Sequence, residues 1–472
     1  MRFDTIRYHF VGIGGSGMSA LAQVLKAKGV EISGSDRYYD KGVNTTLFDK
    51  LTSMGISIFK QDGSGVEEKI DKVVVSTAIE DDNPDIIKAK NKDIPIIRRA
   101  ELLAETFNSS KQKIAITGTS GKTTTTAMIG FILHQLGFVP TIINGGIMLD
   151  FSQENCLGNA IIGNPELMVI EADESDGTCC LYKPTIGIIT NIQLDHKSLP
   201  ELEVIFKKFA GNIINTLILN ADCKRCINLT SKPKLTFGIE NEADIYPKEL
   251  RLYPQDSYFI IEDTPFYLPL PGVHNVYNAL ATIAIAKILD VKLKKISSVL
   301  SKFKGIKRRL QFIGEENGIK VIDDYAHNPD KIKATLSTLK LQFPRLIIIF
   351  QPHGFGPTRL LKEGFIQTFN KELRKQDILF MIEIYYAGGT IIKDISSNDI
   401  VIPLEKEGLQ VHYFADREKT IPQVIKEAKP GDGIVVMGAR DDTLSEFCLD
   451  ILKAIKENRQ SKESHVTKGI MI

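Results

Sequence analysis

A buried strand, a glycine turn and a helix start follow one another without a gap in Ile114-Ala115-Ile116-Thr117-Gly118-Thr119-Ser120-Gly121-Lys122-Thr123-Thr124-Thr125-Thr126. No other stretch constrains the fold as tightly. Glycines at 118 and 121 let backbone N–H groups converge on a polyphosphate, Lys122 adds a point charge near the terminal phosphates, and the Thr123 hydroxyl suits Mg2+. The segment predicts an ATP site built from Gly118, Thr119, Ser120, Gly121, Lys122, Thr123 and Thr124. The general pattern has its first glycine five residues before Gly121, where Ile116 stands, so this is a shortened loop.

A strand that empties into such a loop belongs to a parallel sheet with crossover helices, and the rest of the chain repeats the theme. Short apolar runs alternate with helical patterns at Tyr8 to Ile13, Lys72 to Val75, Leu167 to Glu171, Ile186 to Asn191, Thr216 to Asn220, Val321 to Asp324, Leu346 to Phe350, Ile378 to Ile384 and Gly433 to Met437. A length of 472 residues fits about three domains of ordinary size. Polar seams at Asn108-Ser109-Ser110-Lys111-Gln112 and Phe303 to Arg309 divide it. The expected organisation is an α/β protein of three mostly parallel sheets at 1–107, 108–306 and 307–458, with a flexible tail at 459–472.

The first domain opens with Gly12-Ile13-Gly14-Gly15-Ser16-Gly17-Met18 after a strand, and Met18, Leu21, Val24 and Leu25 then keep helical spacing; Asp36 closes the next strand. Gly12, Gly14 and Gly17 fit the dinucleotide fingerprint, with Asp36 placed to accept a ribose hydroxyl. A helix N-terminus grips any diphosphate, however. NAD, which would make the chain an oxidoreductase, a UDP-linked substrate and a plain structural turn all answer the pattern, and the separate ATP loop favours the UDP-linked substrate.

Three further segments carry polar chemistry at predicted strand or helix ends. Glu171, Asp173, Glu174 and Asp176 follow an apolar strand, where hard carboxylate oxygens suit Mg2+, although a solvated acidic loop has the same look. His196 ends another strand pattern and fits either a second metal or a packing role. Asn275 and Asn278 lie one helical turn apart and serve either a nucleotide or a helix cap. In the last domain Arg308-Arg309 offers a guanidinium for phosphate, and Asp324 a strand-end carboxylate for a ribose.

A formal net charge of +1 gives no electrostatic footprint for nucleic acid or an anionic membrane. With no long apolar run and no apolar core near the start, the expected compartment is the cytoplasm, without membrane insertion. Cys156, Cys179, Cys180, Cys223, Cys226 and Cys448 are sparse enough for reduced thiols. Cys223-Lys224-Arg225-Cys226 has CxxC spacing without the second ligand pair that zinc requires or the thioredoxin-like context of a redox motif, so two unpaired thiols are expected.

Together these residues resemble the Mur ligase family, ATP-dependent enzymes that add amino acids to the UDP-N-acetylmuramic acid precursor of bacterial peptidoglycan. Gly118 to Thr123 and Asp323 to Pro329 look like the family at large. Gly12 to Met18, Val73 to Ile79, Arg99-Ala100-Glu101, Glu171 to Asp176 and Gln351-Pro352-His353 look like its alanine-adding branch, and the likeness runs from about Tyr8 to Lys456. The resemblance implies Rossmann-like first and last domains around a central ATPase domain. It also implies ATP and Mg2+ as cofactors, with UDP-N-acetylmuramate and an amino acid as substrates joined through an acyl phosphate. Lys122, Glu171, His196 and Arg309 would then be catalytic, and Thr123, Glu171 and His196 would hold metal. Asn275, Asn278, Arg309 and Asp324 would complete the ATP site. Gly12, Gly14, Gly15, Ser16, Gly17, Met18, Asp36, Ser76, Thr77 and Ala78 would meet the UDP substrate, and Tyr325, His327, His353 and Arg359 the amino acid. The chain departs from the branch at Ser120, where histidine is usual, and at Gly354 and Pro357, where arginines are usual. Another amino acid or a peptide is therefore the alternative amine.

Overall fold

The computed structural model describes residues 6–153, 156–194, 197–230, 234–386 and 393–469. Contacts divide the chain into two compact units. One takes in the chain up to Arg251 together with Ser257–Pro269 and His274–Ile306; the other holds Leu252–Asp256, Leu270–Val273 and the chain from Lys307 on.

Among the described residues, the first unit contains two large, mostly parallel sheets, beside a small three-stranded one built around the hairpin Ser257–Ile261 with Thr264–Leu268. In the first, the spatial order is Ser57–Phe59, Glu31–Ser35, Arg7–Val11, Lys72–Val75, Ile96–Arg98, with each neighbour pair parallel. Chain order reverses between Arg7–Val11 and Lys72–Val75, so a crevice opens at their carboxyl ends, the place where such sheets bind ligands. The helix Ser16–Ala27 leaves that crevice and buries Met18, Leu21, Val24 and Leu25 as their spacing predicts.

The second sheet runs Lys234–Phe237, Thr216–Asn220, Ile186–Ile189, Gln112–Thr117, Asn164–Glu171, Pro140–Ile143, Ala160–Ile161; its last pair is antiparallel. The strand feeding the glycine loop is therefore central, and Ile114, Ala115 and Ile116 are at most 1% exposed. Continuous apolar character is what a strand covered on both faces requires. Both sheets share one apolar core, where Phe107 meets Tyr182 edge to face at 5.5 Å.

The second unit carries a six-stranded sheet in the order Gln311–Glu316, Ile319–Asp324, Gly433–Gly438, Leu346–Gln351, Ile378–Ile382, Gln410–Phe414. Only the first strand pairs antiparallel with its neighbour. The last helix spans Leu444–Gly469, so the segment expected as a tail is helical through Gly469.

Candidate active site

The phosphate loop hangs from the central strand and is braced on both sides by the ends of its neighbours. Gly118 has φ +132°, and a β-carbon there would lie 2.1 Å from the Thr190 hydroxyl, so the position admits glycine alone. Gly121, at φ +87°, abuts the Asn278 side-chain oxygen, which a β-carbon would approach to 2.5 Å. On one flank, Asn191 accepts from the Ser120 N–H at 3.0 Å and donates to the Ser120 carbonyl at 2.9 Å, while the Thr190 hydroxyl donates to that carbonyl at 2.6 Å. Thr119 exchanges hydrogen bonds with the Gln193 backbone, at 3.2 and 3.0 Å. Thr124 is buried in the helix Lys122–Gln135 that follows.

Lys122 folds back over the loop. Its ammonium donates to the Gly118 carbonyl at 2.8 Å and to Glu174 Oε2 at 2.6 Å. Glu174 is 2% exposed, and burial pushes its carboxyl up to about 7 against the pull of Lys122. Burial works against the Lys122 charge as well, but Glu174, Asp173 and Glu171 outweigh it and hold the ammonium above its ordinary value.

The acidic segment thus divides its labour. Glu174 serves Lys122, whereas Asp173 and Asp176 accept from the backbone N–H groups of Ser175 and Thr178. Glu171 meets the next residue of the loop helix, with Oε1 3.0 Å from the Thr123 hydroxyl. A hydroxyl and a carboxylate side by side are hard oxygen donors, which fits Mg2+ shared with phosphate oxygens. His196 lies outside the described residues; among the described ones no cluster of three or more His, Cys, Asp or Glu is arranged to hold a metal.

The first domain's glycine loop reaches this site through Gly145. The Ser16 hydroxyl donates to the Gly145 carbonyl at 2.6 Å, and the Gly145 N–H donates to Glu171 Oε2 at 2.7 Å. Asn159 reinforces the join, donating to the Ser16 carbonyl at 2.8 Å and to the Ser19 hydroxyl at 2.9 Å and accepting from Gln23 at 3.0 Å. Gly12, at φ +77°, faces Ile79 across the crevice, with a β-carbon there 3.0 Å from its Cδ1, so the glycine loop and Ser76-Thr77-Ala78 line opposite lips. Gly17 packs against the Arg99 guanidinium, and Gly15 caps the helix that begins at Ser16. Asp36, expected at the ribose, also has partners within the loop. It is 5% exposed, and its carboxylate accepts the Gly14 N–H at 2.9 Å and the Tyr38 N–H at 2.8 Å. It therefore ties down the glycine loop from within.

Asn275 and Asn278 are buried in the helix Val273–Ile288 and bonded to each other at 3.3 Å. Asn278 accepts from the Thr125 hydroxyl at 3.1 Å, which places its amide behind the phosphate loop and away from a helix cap.

In the second unit, Arg308 and Arg309 part company. Arg308, at φ +60°, is buried and donates to the Gly438 and Asp441 carbonyls at 2.8 and 3.0 Å, a structural post. Arg309 lies half-buried with its guanidinium 4.7 Å from the Tyr325 ring centre. His327 accompanies them. Its ring is 5.5 Å from Tyr325 and 5.2 Å from His353, and burial together with Lys331 holds it well below the usual imidazole range. Asp324 accepts from Thr335 and from the Leu310 N–H, and burial raises its carboxyl. Arg359 is engaged with Asp394. The structure thus gathers Arg309, Tyr325, His327 and His353, and gives Arg359 another partner.

Gly145, Asn159 and Asn191 escaped the sequence reading. Asn144-Gly145-Gly146 after an apolar run, and Asn191 at a strand end, were the available signals.

These features define a nucleotide-binding α/β protein with a phosphate loop joined to a second glycine-rich crevice. The catalytic, middle and glutamate ligase domain models of the Mur ligase family match residues 7–111, 116–286 and 308–440. The UDP-N-acetylmuramate–L-alanine ligase of Geobacter sulfurreducens is 38% identical over 452 residues, 92% of this chain and 94% of the relative. That of Geotalea daltonii is 39% identical over 92% of this chain and 95% of the relative. The crystal structure of the Thermotoga maritima UDP-N-acetylmuramate-alanine ligase, 29% identical, superposes with a TM-score of 0.78 over 97% of this chain and 100% of the other. The chain belongs to the Mur ligase family.

Proposed function

We propose that this chain uses ATP and Mg2+ to join L-alanine to UDP-N-acetylmuramate in the cytoplasm, in the synthesis of peptidoglycan precursor. The observation that carries the reading is the path from Ser16 through Gly145 and Glu171 to Thr123, which couples the crevice for a UDP-linked substrate to the phosphate loop. The similarity to L-alanine ligases along more than nine-tenths of the chain supports the choice of amine.

A carboxylate is a poor electrophile. Transfer of the γ-phosphoryl group to it, with ADP leaving, gives an acyl phosphate that the alanine amine attacks, releasing phosphate. Lys122 neutralises charge on the phosphoryl oxygens, and the loop N–H groups hold the nucleotide in place. Thr123, Glu171 and His196 would hold Mg2+, which would supply charge stabilisation for the phosphate oxygens. Arg309, Asn275, Asn278 and Asp324 complete the nucleotide site, while the crevice of Gly12 to Met18 and Ser76 to Ala78 takes the UDP substrate. Neutral His327, with Tyr325 and His353, borders the amine, and Arg359 stands further out in this scheme. Residues 1–107, 108–306 and 307–458 act as three functional domains.

The test is ADP release with ATP, Mg2+ and UDP-N-acetylmuramate, adding L-alanine, glycine, L-serine or an L-alanyl peptide in turn. Release that depends on L-alanine is expected. Release only with another amine moves the specificity to Gly354 and Pro357, and none with any amine refutes the ligase reading.

A further inference from the structure

The CxxC segment is left unused by this chemistry, yet it stands close to the phosphate loop. Cys223 is half-buried at the start of the short helix Lys224–Ile227, and Cys226 within that helix is 0% exposed. The Ile227 N–H closes the turn on the Cys223 carbonyl at 3.1 Å, so the two side chains stand three residues apart on one turn. That spacing brings β-carbons to about 5–6 Å, near the reach of a disulfide after a small backbone adjustment. The Cys226 thiol, with nearby backbone N–H groups, lowers the Cys223 thiol to about 6, which favours the reactive thiolate.

The bond network around Thr190–Gln193 gives the pair its consequence. Ile192 lies inside Thr190–Gln193, whose neighbouring residues hold the phosphate loop: Asn191 accepts from Thr119 N at 3.1 Å and from Ser120 N at 3.0 Å, and Gln193 N donates to Thr119 at 3.0 Å. The same loop is tied a second time, because Cys223 N donates to the Asn220 carbonyl at 3.3 Å and Asn220 donates to the Thr190 carbonyl at 3.1 Å. A disulfide would draw the β-carbons of Cys223 and Cys226 together and shift the Cys223 backbone that bonds Asn220.

We propose that Cys223 and Cys226 are a site of reversible oxidation by hydroperoxides, and that closing their disulfide loosens Thr190–Gln193 and weakens nucleotide binding at the phosphate loop. The Cys223 thiolate attacks one peroxide oxygen, the O–O bond breaks, and the other oxygen leaves as water after taking a proton, which gives a sulfenic acid. The Cys226 sulfur then attacks the Cys223 sulfur, the S–O bond breaks, and a second water leaves with the thiol proton. Two thiols and one hydroperoxide thus become a disulfide and two hydroxyl products.

The experiment treats the full chain with hydrogen peroxide, maps disulfide-linked peptides by mass spectrometry, and measures affinity for a fluorescent ATP analogue before and after dithiothreitol. The expected result is a Cys223–Cys226 linkage, an affinity about tenfold weaker, as for one lost hydrogen bond at the loop, and full recovery on reduction. Cys223→Ser should abolish both the linkage and the peroxide effect, and Cys226→Ser should leave a sulfenic acid on Cys223 that dimedone traps. Oxidation confined to Cys180, whose thiol Cys179 lowers to about 7, overturns the proposal, as does a Cys223–Cys226 linkage with unchanged affinity. The wild-type map and its reversal decide the matter even where a serine variant fails to fold.

Discussion

At the scale of single residues, the phosphate loop depends on what surrounds it as much as on its own glycines. Gly118→Ala would drive a β-carbon into the Thr190 hydroxyl at a backbone angle that disfavours any side chain. Strain of about 1–3 kcal/mol should then fall on the loop, and ATP affinity measured by titration calorimetry should drop roughly tenfold to hundredfold. Glu174 carries a pH signature. Its folded value of about 7 lies above its unfolded 4.5, so the folded protein favours the protonated form. The stability it contributes is fully present below 4.5 and is lost as pH rises through about 7. Glu174→Gln, which keeps a hydrogen bond to Lys122 without the ionisable group, should flatten that part of the melting-temperature profile; a slope equal to wild type would mean that another group sets it. Lys122 and Thr123 were legible in the sequence because a phosphate loop is a local pattern. Which of four neighbouring carboxylates turns inward was not, since Glu174 is singled out by a lysine 52 residues away. The same holds for Asp36: sequence spacing marks a strand-end carboxylate, but only the folded loop supplies the Gly14 N–H that it accepts.

At the scale of elements, the site is a meeting of strand ends. Gln112–Thr117 carries the phosphate loop, Asn164–Glu171 delivers Glu171, and Ile186–Ile189 leads into Thr190 and Asn191. The first-domain helix Ser16–Ala27 is fastened to this sheet by Asn159, which is 4% exposed and makes three hydrogen bonds to it. Asn159→Ala should leave the Gln23 amide and the Ser16 carbonyl short of a partner and cost about 1–3 kcal/mol, read by urea denaturation; a change below about 0.5 kcal/mol, the scale of an ordinary surface substitution, would show that the join is dispensable. The long apolar strands were readable because both of their faces are covered. Ser57–Phe59, Ile96–Arg98 and the hairpin Ser257–Ile261 with Thr264–Leu268 were not, being short, polar or alternating segments whose strand character comes from the neighbour they pair with.

At the scale of the whole molecule, the described residues fall into two compact units: the two large sheets of the first share a core, while the six-stranded sheet of the second closes its own. The seam before Lys307 showed in the sequence as a polar, basic stretch. The one near Asn108 is polar in sequence but continuous in packing, since Phe107 and Tyr182 meet edge to face across it. The shared core holds the first sheet's glycine-rich crevice and the phosphate loop together, and that supports direct attack of a bound carboxylate on the γ-phosphorus. UDP-N-acetylmuramate labelled with oxygen-18 in its carboxylate tests this, with ATP, Mg2+ and L-alanine present and the released phosphate analysed by mass spectrometry. Transfer through an acyl phosphate puts one labelled oxygen in each phosphate released with the product. Unlabelled phosphate released alongside ligated product would contradict it, because the carboxylate would then never have taken the phosphoryl group.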